Sequence, residues 1–386
     1  SAHWQVPLLK LCFTIAYVVL APFAGPLADA WPKGRVMLAT NSIKAAGCLL
    51  IAAGCDPLLG FVIVGLGAAG YSPAKYGLIT EIVPPQRLVE ANGWIEVSTV
   101  GAIILGTVLG GALVGPLADA AWLLWTPPAA MQATTRLLLP LLLVLALYAL
   151  AAALNFGLPD SGARYAAASR RPLALLAEFR RDNAALWRDP EARISLAVTT
   201  LFWGVGATLQ FLVLRWAIEA LDLDLHQAAY LQGVTAIGIT AGAALAGRCV
   251  PLGRAGTVLP LGIAMGLLVP LMTATGSVAT ALPLLILVGG CAGFFVVPMN
   301  ALLQHRGYVL LSAGRSIAVQ NFNENLSVLL MLAAYAALLA FGVPIAWLVW
   351  GFGIAVAVVM ALIGSAYHKS RRSGAASLPA YPQEHA

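Results

Sequence analysis

The sequence predicts an all-α polytopic membrane protein, and three observations carry that prediction. Apolar residues make up 60% of the 386 residues and charged residues only 10%, with a mean hydropathy of +0.87. A soluble domain carries about 25% charged residues. The apolar residues also run on continuously for the length of a bilayer crossing, roughly 20 residues, without the period-2 alternation of an outer-membrane barrel. Finally, the basic residues collect in alternate connections between these runs, as the positive-inside bias requires. A string of soluble domains is excluded, and so is a disordered chain, which needs low hydrophobicity and high charge. The formal charge of +6 is not gathered on any soluble domain, so nucleic acid is not an expected partner.

Breakers divide the chain into eleven apolar spans: 6–28, 35–54, 57–82, 88–116, 132–157, 193–219, 227–247, 257–277, 280–303, 314–342 and 344–367. Trp31-Pro32 closes the first, Gly54 to Pro57 the second, and Pro84-Pro85 the third. The connection 158–192 is the longest and most polar. It separates an N-terminal half, 1–157, from a C-terminal half, 193–369, and residues 370–386 read as a disordered tail. Within the connection, Arg171–Trp187 places Leu173, Leu176, Phe179, Leu186 and Trp187 among arginines. That pattern fits an amphipathic helix on the inner leaflet or a solvated connector.

Lys33, Arg35, Arg87, Arg164, Arg170, Arg171, Arg180, Arg181, Arg188, Arg193, Arg248, Arg254, Arg306, Arg315, Lys369, Arg371 and Arg372 share one set of connections, which is therefore expected in the cytoplasm together with the C-terminus. The opposite set carries Asp56, Asp119, Glu219, Asp222 and Asp224, with Arg136 alone among them, and Trp4, Trp122, Trp125, Trp216, Trp347 and Trp350 as an expected outer aromatic belt. Eleven spans starting outside is an odd arrangement, and a span preceding residue 6 is the expected remedy. The chain starts without Met and without the basic n-region of a signal peptide. Cys12, Cys48, Cys55, Cys249 and Cys291 have no metal or redox spacing and read as packing residues.

Six plus six spans would suggest duplicated halves. Pro73-Ala-Lys75 has a counterpart in Pro298-Met-Asn300, Asn92-x-x-x-Glu96 in Gln320-x-x-x-Glu324, and Lys33-Gly34-Arg35 in Leu252-Gly253-Arg254, at similar but unequal offsets.

Ionisable residues inside spans are costly and point to function by default. Here they are Lys10, Lys44, Lys75, Glu96, Arg215 and Glu324. At helical rise, Lys75 lies about 18 Å from Arg87, and Glu96 about 13 Å on the other side of it. Their spans are consecutive, so the two can meet as a structural ion pair or as part of a site. Lys44 lies about 13 Å beyond Arg35. A phosphate beside an apolar surface suits this set: lysines act as point charges and amides donate hydrogen bonds. Arg215 precedes Glu219 by one helical turn, the spacing of an ordinary helical pair. Gly65-x-Gly67-x-x-Gly70 matches a dinucleotide fingerprint without a preceding strand, and like Gly106-x-x-x-Gly110 it reads as helix packing. No Walker A, Gly-x-Ser-x-Gly or His-Glu-x-x-His pattern is present.

Gly25-Pro-Leu-Ala-Asp29-Ala-Trp-Pro-Lys33-Gly34-Arg35 resembles the loop signature between spans two and three of the major facilitator superfamily, one residue short at its basic end. Lying here between the first two spans, it agrees with an absent first one. Tyr71-Ser-Pro-Ala-Lys75-Tyr-Gly77, Ala91-Asn-Gly93 with Glu96, Phe294-Phe-Val-Val-Pro298-Met-Asn300-Ala-Leu-Leu-Gln304 and Ala318-Val-Gln320-Asn321 with Glu324 are similar to the bacterial lysophospholipid transporter family, along essentially the whole chain except the tail. The resemblance implies a major facilitator fold of two six-helix halves with the first helix missing. It implies a transporter, not an enzyme, with no catalytic residue, cofactor or metal. Such a protein flips lysophosphatidylethanolamine and lysophosphatidylglycerol from the outer to the inner leaflet of the bacterial inner membrane by alternating access. An acyl-carrier-protein synthetase/acyltransferase partner reacylates them there.

The substrate-binding set expected on these grounds is Lys75, Lys44, Glu96, Asn92, Asn300, Gln320, Glu324 and Arg215. Asp29, Lys33 and Arg35 are expected as a gate, against the plainer reading of a solvated basic loop. The chain departs from the family at the absent Gly-Asp-Asn of the first span. It also has Gln210 in Thr208-Leu-Gln210-Phe211, where relatives carry Arg, with Arg215 five residues on. The competing functions are a drug or small-molecule proton antiporter of the same superfamily, which needs a titrating membrane carboxylate, and an integral membrane acyltransferase. The latter needs a catalytic set that His3, His226, His305, His368 and His385 do not form.

Overall fold

A computed structural model of the protein describes residues 5–114, 132–165 and 171–372. Among them every regular element is a helix: α1 (Gln5–Ala30), α2 (Lys33–Ala52), α3 (Pro57–Ile82), α4 (Leu88–Val114), α5 (Gln132–Asn155), α6 (Pro172–Arg188), α7 (Pro190–Leu221), α8 (Leu225–Cys249), α9 (Leu259–Leu268), α10 (Val278–Leu310), α11 (Ala313–Ala340) and α12 (Ile345–Arg372). Short 3₁₀ turns extend α9 on both sides, so that Leu252–Ala274 forms one crossing-length segment. Among the described residues, ten segments are long and apolar enough to cross a membrane, and Pro140–Asn155 of α5 is a shorter apolar helix. Trp4, Asp119, Trp122, Trp125, Arg170 and the chain from 373 onward lie outside the described residues, as do the side chains of Lys10, Arg136 and His226. Residues 370–372, expected in the tail, continue α12.

Several acidic residues that the sequence presents as loop charges are helix caps. Asp56 accepts from the Leu58 amide at 2.8 Å, with Pro57 opening α3. Asp189 accepts from the Glu191 and Ala192 amides at the start of α7. Asp224 and Gln227 form a reciprocal capping box on α8. Each cap satisfies amide donors that the helix itself leaves open.

Contacts divide the chain into two compact units. One comprises Ser1–Pro84, Ser98–Asn183 and Gly307–Ala333; the other comprises Pro85–Val97, Ala184–Arg306 and Ala334–Ala386. In the first, α3 packs on α1 and α2, and α2 on α5. Ala28, Val36, Met37, Ala74 and Leu78 form a buried cluster flanked by Tyr71 and Leu158. The fingerprint-like glycines lie in this packing: Gly65 meets Phe13 and Ala16 of α1, while Gly67 meets Thr40 and Lys44 of α2. Among the described residues, nothing lies within 4 Å of a Cβ placed at Gly106 or Gly110, so the packing expected there is not seen.

In the second unit, α12 packs on α7 and α9, and α8 packs on α7. Gly238 and Gly242 on α8 interlock with Gly289 and Gly293 on α10, and a methyl at any of the four would fall on the other helix's backbone. This is small-residue packing of the kind membrane helices use to approach closely.

Other expectations are corrected. Trp216, placed in the outer belt by its position, is 1% exposed, because α7 turns that face inward; Trp347 and Trp350 are exposed. Cys249 is exposed at the end of α8 rather than packed. In the connection, one of the two expected readings included a helix, and α6 is one; it buries Phe179 and Leu186 and turns Leu173 and Leu176 outward.

Replacing Gly242 with valine is expected to destabilise the second unit by about 1–3 kcal/mol through overpacking. Valine at Gly106 is expected to leave stability unchanged. Thermal melting in detergent would read both.

Candidate functional site

The corner between α1 and α2 gathers the densest charge in the first unit. Asp29, one residue before the end of α1, accepts the Ser312 hydroxyl and the backbone amides of Gly314 (2.9 Å) and Arg315 (3.2 Å). These amides belong to the first turn of α11, where the helix dipole amounts to about half a positive charge. The close approach depends on glycine. A methyl at Gly314 would lie 2.6 Å from Asp29 Oδ1, and one at Gly25 would lie 2.9 Å from Arg315 Cα and Ala318 Cβ.

Lys33, the first residue of α2, is buried among acceptors: Asp29 at 2.9 Å, the Ala28 carbonyl at 2.8 Å and Glu81 at 3.1 Å. Glu81, near the end of α3, also accepts from the Ser161 hydroxyl and from Tyr165 Oη at 2.7 Å. Burial and this bond to Glu81 push the Tyr165 phenol up, so it remains the donor. Arg35 is exposed and does not join the cluster. It lies near Asp160, whose carboxyl is held down at about 2 by the Arg164 hydrogen bond first and then by the Gly162 amide.

Helix α6 is tied to the same end of α11. Arg315 reaches Glu178 at 2.7 Å and Asp182 at 3.4 Å. Asn323 donates to Asn183 at 2.9 Å, and Phe179 stacks edge-on against Phe322, 5.2 Å between centroids. Ala21, Pro22 and Pro26 of α1 line a small recess together with Leu175 and Arg315. Burial pushes the Asp182 carboxyl up, against the pull of Arg315.

Within the apolar helices of this unit, Lys44 is buried on α2. Its ammonium lies 4.1 Å from the centre of the Tyr71 ring and 5.1 Å from that of Tyr148. Lys75 lies 5.0 Å from the Tyr76 ring and is close enough for its charge to act on Lys44. Gln320 and Glu324 are buried on α11, one turn apart, and bonded to each other at 2.7 Å. Asn321 reaches across to Ser72 of α3 at 2.9 Å.

The remaining expected residues belong to the second unit. Asn92 and Gln304 exchange two amide hydrogen bonds, at 2.8 and 2.9 Å, and Asn92 also donates to the Leu88 carbonyl. Glu96 and Asn300 are half-buried, on α4 and α10. Arg215 pairs with Glu219 one turn along α7, the ordinary helical pair its spacing allows. Gln210 bonds Gln232 of α8 at 3.2 Å. Arg306 is held by Asp189 and Glu191. Lys75 and Glu96 thus fall in different units. Sequence reasoning missed Glu81, Tyr165, Glu178 and Asp182, whose partners lie far along the chain. It also missed Tyr71 and Tyr148, aromatic residues that apolar helices carry for many reasons.

The Major Facilitator Superfamily model matches residues 3–323. The E. coli fucose:proton symporter FucP aligns with a TM-score of 0.72 over 95% of this chain and 91% of its own, at 15% identity. A bacterial homologue of the iron transporter ferroportin, in an outward-facing state, aligns with a TM-score of 0.68 over 96% and 92%, at 14% identity. The fold is therefore that of a membrane transporter of the major facilitator class. Proteins named lysophospholipid transporter LplT in Yersinia enterocolitica and Yersinia pestis are 43% identical to it over 343 residues, 89% of this chain and 80% of theirs. The chain belongs to the Major Facilitator Superfamily and, within it, to the lysophospholipid transporter family.

Asp29→Asn is expected to speed hydrogen exchange at the Gly314 and Arg315 amides by about tenfold or more, the scale of one charge-assisted bond. Gly314→Ala should act alike with the charge intact; exchange mass spectrometry of α11 would compare them. The raised Asp182 carboxyl means that docked α6 holds this proton more tightly than free α6 does. Docking is therefore strongest below the ordinary carboxylate range and weakens as pH rises from there through the raised pKa. Exchange in α6, corrected for intrinsic rates, is expected to be slower at about pH 4, near the ordinary carboxylate range, than at about pH 7, with the difference lost in Asp182→Asn.

Proposed function

We propose that the chain moves lysophosphatidylethanolamine and lysophosphatidylglycerol from the outer to the inner leaflet of a bacterial inner membrane, with its C-terminus in the cytoplasm, for reacylation by an acyl-carrier-protein synthetase/acyltransferase. The observation that carries this reading is the placement of Lys44 and Lys75, two cations in apolar helices, in a chain 43% identical to lysophospholipid transporters over 89% of its length. A lysophospholipid presents a phosphate and one acyl chain, and it needs charge set within an apolar surface. The orientation rests on the basic connections.

Alternating access between the halves 1–157 and 193–369 supplies the movement, with 158–192 as their cytoplasmic link. Asp29 and Lys33 are the gate in this reading. Asp29 holds the α11 N-terminus and Lys33 ties it to α3, so releasing Asp29 frees both elements at once. Arg35 contributes surface charge beside them. Gln320 and Glu324 supply polar groups for the head; Glu96 and Asn300 enter this reading through the family resemblance alone, and Asn92 braces α4 through Gln304. Arg215 serves at the opposite boundary.

Full-length protein reconstituted in liposomes with fluorescent lysophosphatidylethanolamine tests the reading. Loss of the label from the outer leaflet is expected, and Lys75→Ala is expected to abolish most of it. A rate unaltered in Lys75→Ala removes that residue from the site, and no movement with intact protein refutes the substrate. Dependence on an imposed pH gradient would identify proton coupling.

A further inference from the structure

We propose that Lys44, Asn41, Tyr71 and Tyr148 form a docking site for the phosphate of a single-chain phospholipid in the layer built by α2, α3 and α5. This rests on the lysophospholipid reading and assigns Asn41 and the two tyrosines, which that reading does not use.

Lys44 is 9% exposed within an apolar helix, and no carboxylate pairs with it among the described residues. Its ammonium faces the rings of Tyr71, from α3, and Tyr148, from α5. Ring faces shelter an ammonium through their quadrupole but provide no counter-charge. The second lysine, Lys75, adds repulsion. Such an arrangement is costly unless something negative joins it.

Asn41 makes the same demand independently. It lies three residues before Lys44 on the buried face of α2 and is 1% exposed, yet its Nδ2 has no acceptor among the described residues. A buried donor without an acceptor forfeits its hydration for nothing in return. One helix face therefore offers an ammonium and an amide with no acceptor for either. A phosphate fits both, having several lone pairs and a charge. The ethanolamine ammonium does not, because two lysines repel it. Ile43 of α2 and Leu147 of α5 expose apolar side chains on the same helices, the surface an acyl chain requires.

The test uses the full chain in neutral phosphatidylcholine nanodiscs. Binding of lysophosphatidylethanolamine, monoacylglycerol and inorganic phosphate is titrated for the unsubstituted chain and for Lys44→Met, Lys44→Arg and Asn41→Leu, alongside melting temperature. Lys44→Met is expected to weaken lysophosphatidylethanolamine by about tenfold or more. Asn41→Leu should weaken it several-fold, and Lys44→Arg should restore most of the affinity. Monoacylglycerol should be unaffected, and neither apolar variant should melt earlier. Unchanged lysolipid affinity in both apolar variants overturns the site, as does an equal loss for monoacylglycerol. Lys44-dependent binding of inorganic phosphate without any effect on the lysolipid overturns the lipid as the source of the phosphate. No lysolipid binding or movement by the unsubstituted chain overturns the transport reading itself, whereas normal movement in Lys44→Met overturns this site alone.

Discussion

The carboxylate of Asp29 at the first turn of α11 is the constraint on which much of the first unit depends. One side chain satisfies two of the open amides of that helix and a hydroxyl, and it pairs with Lys33. Lys33 in turn joins α3 through Glu81, which anchors Ser161 and Tyr165 of the segment after α5. Desolvating so many charges is offset only because each is met several times over. The cluster is therefore cooperative: displacing one member leaves others buried and unmatched.

The link to α6 extends this logic. Arg315 contributes its backbone amide to Asp29 and its guanidinium to Glu178 and Asp182. One residue thus couples the α1 end to the connecting helix, and any displacement of α11 is felt by both. Asp182 sits least comfortably there, since burial opposes its charge more than Arg315 supports it.

How much was legible in the sequence follows from the distance over which each interaction acts. The spans were legible because hydropathy is local, and Arg215–Glu219 because a helical turn is. The corner at Asp29 was legible only through its resemblance to a family loop; nothing local indicates that its acceptor role is directed at Gly314, 285 residues away. Asn92 announced a polar role but not that Gln304, 212 residues on, would take up its amide. Trp216 went astray for a plain reason. Composition says that a side chain is apolar, and only packing says which way it faces.

The interlocked glycines of α8 and α10 have a mechanical consequence. Helices separated by large side chains can slide, because rotamers rearrange as they pass. Where backbone meets backbone there is no such compliant layer, so sliding would drive one main chain into the other. The pair must therefore travel as a single stiff plank, and the pliability that a carrier's cycle demands has to reside at other seams.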